Sequence, residues 1–236
     1  EMPIGIQYNS DVSAQLKSAV ILAGTNSYGT TTIVEKKESR DHTENILLKN
    51  GLNTIKIKKD KKKQNIIKVY GKNYLDPLKL FVPGDPSSGA FFTALTLLNK
   101  KSSLKIKNIC LNPKRIGFYN LLKKHGGKIS FQNKRKKNNE FIGDVVVKSS
   151  KLSPIKASSY YYTSLTDEYP IMFVIAALIP GTSIFTGIKD LANKESNRIE
   201  EMKKILKQIG VKCWSGKDKM VIKGLKNYKF ENKMIN

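Results

Sequence analysis

The chain has few of the residues that usually mark a metal centre, a disulfide framework or sequence-specific contact with nucleic acid. Two cysteines and two histidines stand in 236 residues. Cys110 and Cys213 are far apart and show no CxxC or Cys/His spacing, so they read as two buried thiols of a cytoplasmic protein. No apolar run approaches the ~18–20 residues of a membrane span. Residues 1–10 have neither the basic start nor the apolar core of a signal peptide, and the chain begins on Glu1 rather than methionine. Arginine is scarce as well. Of 43 basic residues only Arg40, Arg115, Arg135 and Arg198 are arginine, although the formal net charge is +24. Base and phosphate recognition usually recruits arginine for its planar fork. Lysine in company with abundant Ile and Asn reads instead as compositional bias, which leaves a basic nucleic-acid-binding module as an alternative only. The lysine runs at 56–63 and 134–137 are expected in solvated turns between strands.

What is present is the composition of a folded α/β protein, 39% apolar and 26% charged, long enough for one large or two small cores. One pattern occurs three times. A polar start precedes an apolar helix: Ser13-Ala14-Gln15 before 16–22, Ser87-Ser88 before 90–98, and Thr166-Asp167 before 171–179. Each helix gives way to a strand, at 31–34, 104–106 and 183–185. A second helix follows, with apolar residues at helical spacing: Ile46 and Leu47; Phe118, Leu121 and Leu122; Ile199, Met202, Leu206 and Ile209. Each ends at glycine, Gly51, Gly127 and Gly210, the expected C-terminal stop. Strand pairs close the copies: 54–58 with 66–70, 128–131 with 144–147, and 211–214 with 220–223. The closing glycines are 76 and 83 residues apart, a period that suits a βαβαββ unit.

The repeat places Arg40, Arg115 and Arg198 in register at the start of each second helix. Helix-start packing or capping is the plain reading, and it is retained for Arg115. The stretch 166–198 concentrates the chemistry. Asp167 and Glu195 each stand at a predicted helix start, where free N–H groups and a partial positive charge favour anions. Ordinary helix-start acids are common. Beside Lys194 and Arg198, however, two such acids suit the holding of a phosphorylated substrate and proton transfer on it.

Five motifs carry a resemblance: Ser13-Ala14-Gln15-Leu16-Lys17-Ser18-Ala19, Arg40-Asp41-His42-Thr43-Glu44, Pro83-Gly84-Asp85-Pro86-Ser87-Ser88, Asp167-Glu168-Tyr169-Pro170 and Lys194-Glu195-Ser196-Asn197-Arg198. In this order and spacing the chain resembles the 3-phosphoshikimate 1-carboxyvinyltransferases, or EPSP synthases. The first two motifs look like the bacterial class known for tolerating glyphosate. The resemblance implies an enolpyruvyl transferase-like fold of two domains, each of three βαβαββ units. The chain is expected to carry three of the six: 1–82 as the last unit of the N-terminal-side domain and 83–236 as two units of the second. The family's early Lys-Ser segment, its glycine stretch and its late Asp-His-Arg segment are absent, so the chain looks like a central piece that is inactive alone.

The implied reaction joins the enolpyruvyl group of phosphoenolpyruvate to the 5-hydroxyl of shikimate 3-phosphate and releases phosphate, with neither metal nor organic cofactor. Asp167 is then the base facing the shikimate hydroxyls and Glu195 a proton-transfer group. Ser13, Ala14, Gln15, Arg40, Asp167 and Lys194 line the shikimate 3-phosphate site; Gln15, Glu195 and Arg198 meet phosphoenolpyruvate. The resemblance further implies a cytoplasmic protein, monomeric when complete, with no membrane and no specific nucleic acid as partner. The sister transferase acting on a UDP-amino sugar is the nearest alternative; Ser13-Ala14-Gln15 and Arg40 match the shikimate-phosphate side instead. Other residues are expected in plain roles. His42 and His125 read as helix-surface residues, Glu168 as a first-turn acid, Lys17 as packing or solvent-facing, and Tyr160-Tyr161-Tyr162 as a lid or packing segment.

Overall fold

Ser13 begins the first helix by accepting a hydrogen bond on its Oγ from the Leu16 amide, and α1 runs Ala14–Thr25. That side-chain cap offsets one of the donors a helix start leaves unpaired. The computed structural model describes residues 3–11, 13–49, 53–73 and 75–225. They form two compact units, Glu1–Val82 with Arg135–Ile142, and Pro83–Lys134 with Gly143–Asn236.

In the first unit, β1 (Gln7–Ser10), α1, β2 (Thr30–Glu35), α2 (His42–Lys49), β3 (Ile55–Lys59) and β4 (Asn65–Tyr70) follow one another. The sheet order is β1-β2-β4-β3, with β1 parallel to β2 and the other pairs antiparallel. β2 and β4 alternate buried and exposed residues, so Ile33, Ile67 and Val69 face the helices and join Ile21, Leu47 and Ile55 in one core.

The second unit holds α3 (Pro86–Leu98), β5 (Ser103–Cys110), α4 (Gly117–Lys124), most of β6 (Lys128–Lys137) and β7 (Glu140–Lys148), whose residues 135–142 belong to the first unit, then β8 (Lys156–Ala157), α5 (Tyr169–Leu178), β9 (Gly181–Thr186), α6 (Arg198–Gln208), β10 (Lys212–Gly216) and β11 (Lys219–Gly224). Its four-stranded sheet, β10-β11-β9-β8, repeats the order and directions of the first unit: β8 lies parallel to β9, and β11 antiparallel to both β9 and β10. Its three-stranded sheet is β5-β7-β6, and a parallel bridge between Gly84 and Ile109 stands where β1 and β8 stand in the other copies. The threefold repeat is therefore real, and each copy opens on a short parallel edge that the apolar pattern did not reveal.

Of the expected helix faces, Leu47, Phe118, Leu121, Leu122, Ile199 and Leu206 lie in the core, Met202 and Ile209 are half-buried, and Ile46 is exposed. Tyr169, Phe173 and Phe185 pack ring against ring, with Phe173 and Phe185 centroids 5.0 Å apart. Both cysteines are buried and neither is in a disulfide.

Three readings need correction. His125 is not on the surface: it is 9% exposed, and its two ring nitrogens meet the Leu121 carbonyl and the Lys156 amide. The lysine run 134–137 lies on strand β6, because its turn is set by the residues that follow, whereas the run 56–63 is split: Lys56, Lys58 and Lys59 stand on β3 and Lys61, Lys62 and Lys63 fall in the expected turn. Asp60 accepts from the amides of Lys62 and Gln64, and Asn138 and Asn139 take the positive φ of the other turn. Gly126, rather than Gly127, carries the left-handed stop after α4, as Gly210 does after α6. The corresponding Gly51 lies outside the described residues.

Two glycines show the repeat at atomic scale. A Cβ on Gly71, just after β4, would sit 1.8 Å from the Ser27 carbonyl, and one on Gly224, at the end of β11, 1.8 Å from the Ile179 carbonyl. Both approach the loop that leaves the first helix of their copy. Backbone cannot yield as a side-chain tip can, so Gly224→Ala is expected to cost about 1–3 kcal/mol, the usual penalty of overpacking. Urea denaturation of the two chains measures it, and an unchanged midpoint would mean that the close approach is absent.

Candidate active site

In the first unit the start of α1 and the approach to α2 are tied together through buried charge. Lys17, one turn beyond Ser13, is fully buried, with Nζ 2.7 Å from Glu35 and 2.6 Å from Glu44. Glu35 Oε1 also accepts from the amide and the hydroxyl of Ser39, and Oε2 from Asn65. Ser18 and Thr43 hydroxyls meet at 2.8 Å. Arg40 follows Ser39 directly and is half-buried, while Gln15 is exposed. Burial pushes the Glu35 carboxyl up, but Lys17, Asn65 and Ser39 together outweigh it and hold the group below the usual carboxylate range. Burial wins at Glu44, whose carboxyl is pushed up and whose Oε2 is buried without a partner. Lys17 is thus neither ordinary packing nor solvent-facing. The signal available in the sequence was a lone lysine inside the otherwise apolar first helix.

His42 opens α2 and stays partly exposed, with Nδ1 2.8 Å from Glu140. Leu16 and Ile46 are exposed, whereas Leu47 is a core residue.

In the second unit Asp167 lies in the turn just before α5 and Glu195 three residues before α6. Both precede helices, yet neither caps one: Asn197 caps α6 by accepting from the Glu200 amide. Arg198, the first residue of α6, joins the two acids. Its Nη1 is 3.4 Å from Asp167 Oδ1 and its Nη2 2.9 Å from Glu195 Oε2. Arg198 is 23% exposed at its side chain against 79% for Glu195, so the guanidinium is held while the acids look outward. Glu195 is kept below the usual carboxylate range, first by a hydrogen bond from its own backbone and then by Arg198. At neutral pH it is therefore a carboxylate. Lys194 is half-buried beside it.

Beneath this surface Tyr162 stacks on Tyr169, with centroids 6.0 Å apart, and burial, with the nearby Asp190 charge, pushes its hydroxyl up to about 12. Tyr160 is 82% exposed, so the tyrosine run is packing at one end and free surface at the other. Arg115 behaves as read, pairing with Asp85, the N-cap of α3. Glu168 is more than a first-turn acid: it is buried and accepts from the Ser87 hydroxyl.

The family model described as EPSP synthase (3-phosphoshikimate 1-carboxyvinyltransferase) matches residues 4–233. The chain is 40% identical over 227 residues to a 3-phosphoshikimate 1-carboxyvinyltransferase of Aquifex aeolicus, covering 95% of this chain and 52% of the relative. It is likewise 40% identical over 222 residues to one of Zymomonas mobilis, covering 94% and 49%. A solved EPSP synthase of Acinetobacter baumannii superposes with a TM-score of 0.81 at 33% identity, over 94% of this chain and 49% of that one. The chain spans about half the length of the curated relatives it matches.

Proposed function

Because the chain belongs to the EPSP synthase (3-phosphoshikimate 1-carboxyvinyltransferase) family, we propose that the protein it represents transfers the enolpyruvyl group of phosphoenolpyruvate to the 5-hydroxyl of shikimate 3-phosphate and releases phosphate. Residues 1–82 are proposed as the last unit of one domain and 83–236 as two units of the other. The observation that carries the reading is the Arg198 guanidinium spanning Asp167 and Glu195. Addition of a hydroxyl to the enol phosphate carbon needs a base to take the hydroxyl proton and an acid to protonate the methylene; elimination then removes a proton from the resulting methyl group and breaks the bond to phosphate, which leaves and can take up the proton held by the base. Two carboxylates sharing one cation provide two proton stations. The cation itself has donors to spare for an anionic ligand.

In this reading Asp167 takes the hydroxyl proton of shikimate 3-phosphate, Glu195 moves the proton at the pyruvyl carbon, and Arg198 grips the anionic end of phosphoenolpyruvate. Ser13, Ala14, Gln15, Arg40 and Lys194 bind shikimate 3-phosphate, with Gln15 also serving phosphoenolpyruvate. Ser13 at the start of α1 supports its part, since hydroxyl and N–H donors converge there. No helix among the described residues is long and apolar enough to cross a membrane. A cytoplasmic, monomeric enzyme working without metal or organic cofactor completes the proposal.

Phosphate release from both substrates, by a version extended to the family's full length, tests the activity; no release would overturn it. Arg198→Ala in that enzyme is expected to raise KM for phosphoenolpyruvate about tenfold or more, the scale of hydrogen bonds to a charged group. KM for shikimate 3-phosphate should move far less. Equal increases in both would make Arg198 a structural residue.

A further inference from the structure

A polar chain runs from the start of α3 to the Asp167 turn, wholly within the second unit. Arg115 Nη2 lies 2.5 Å from Asp85 Oδ1 and donates to Ser87 Oγ at 2.9 Å. Ser87 Oγ in turn donates to Glu168 Oε1 at 2.5 Å. The direction of these bonds is forced. A guanidinium can only donate, so the single hydroxyl proton of Ser87 is left for the carboxylate. Asp85 fixes Ser87 independently by accepting from its amide. Glu168 is 4% exposed and occupies the N-cap position of α5, where its side chain makes no capping bond. On the other side of the turn, the buried Thr166 donates to the Tyr162 carbonyl at 2.6 Å. Asp167 is thus an exposed residue between two buried and anchored neighbours, and it faces Arg198.

We infer that Ser87 and Arg115 are positioning residues for Asp167, acting through Glu168 to hold the 166–168 turn against Arg198. A carboxylate that must take a proton from one particular hydroxyl depends on placement to within a fraction of an ångström, and a short turn ahead of a helix has no such precision by itself. The serine hydroxyl provides it by linking α3 to the residue that precedes α5, while Arg115 sets the hydroxyl's direction. In its catalytic consequence the inference rests on the enolpyruvyl-transfer reading; in its geometry it does not.

Two measurements separate those parts. Hydrogen exchange on the full chain follows the Glu168 and Met172 amides, which bond to the Leu165 and Glu168 carbonyls. In Ser87→Ala these amides are expected to exchange about tenfold faster, while amides of α4 and α6 keep their rates. In the enzyme at the family's full length, Ser87→Ala is expected to lower kcat about tenfold with both KM values within about twofold, the mark of lost orientation rather than lost binding. Ser87→Thr, which keeps the hydroxyl, should restore kcat. Unchanged exchange at Glu168 and Met172, or failure of Ser87→Thr to recover what Ser87→Ala loses, would overturn the inference. If exchange responds as expected but the wild-type enzyme does not release phosphate from the two substrates, the positioning of the turn stands and the assigned reaction falls.

Discussion

Asp167→Asn, in the enzyme at the family's full length, is expected to lower kcat about 10²-fold or more while shikimate 3-phosphate still binds, the usual scale for losing a general base. The substitution preserves size and one acceptor oxygen but removes the ability to take a proton. It also leaves Arg198 paired with Glu195 at 2.9 Å, so the guanidinium keeps an anchor when its longer 3.4 Å contact to Asp167 is weakened. The flanking buried residues, Thr166 and Glu168, are untouched, and the turn should hold its shape. Loss of turnover with retained binding, read by calorimetry with shikimate 3-phosphate and by phosphate release with both substrates, would then report proton transfer and nothing else. Turnover near the wild-type rate would remove Asp167 from the role of base.

The second large effect is on stability. Lys17→Met is expected to cost about 3–5 kcal/mol, because it leaves the Glu35 and Glu44 carboxylates buried without their shared cation. Methionine nearly reproduces the aliphatic stem, so a packing defect contributes little. The three charges are each 2% exposed or less, and no water can take over the lost bonds without opening the core. Glu35 keeps Ser39 and Asn65 as donors; Glu44 already has one buried oxygen without a partner and loses the cation that pairs with it. Adding Glu44→Gln to Lys17→Met should therefore recover at least about 1 kcal/mol, a coupling of the size seen for residues in one network. Urea denaturation of the single and double variants measures both numbers. A cost below about 1 kcal/mol for Lys17→Met would show that the cluster is not desolvated as described.

The family's fold and the residues proposed for its chemistry were legible to different depths. Helices and strands were read closely because their signals are local. Leu121 and Leu122 with Phe118, or Ile199 with Leu206, declare a helix face within a few residues, and all five are in the core. The copies could be aligned because each repeats that local pattern. The leading strands were missed for the same reason. β1 reads Gln-Tyr-Asn-Ser, and β8 is only two residues long, so neither carries an alternating pattern; each is held by a parallel neighbour far along the chain. The turn expected at 134–137, where lysine suggested solvent, was misplaced. Lysine tolerates an exposed strand face, while Asp60 and the Asn138-Asn139 pair supply the bonds and the positive φ that a turn requires.

By itself the sequence determined the α/β repeat, the helix faces, the two buried thiols and the five motifs that mark the family, because each rests on neighbours a few residues apart. Only the tertiary structure decided that Arg198 spans Asp167 and Glu195, that Lys17 is buried between two glutamates, that His125 is enclosed, and that Ser87 reaches Glu168. The partners in three of these four arrangements lie tens of residues apart; Glu195, three residues from Arg198, is the nearest. The environment of a charged side chain is set by whatever the fold brings against it. Lysine, histidine and glutamate are read from sequence as surface residues because burying them unpaired is costly. Where the fold delivers a partner that offsets the cost, the same residues become the fixed points from which a site is built.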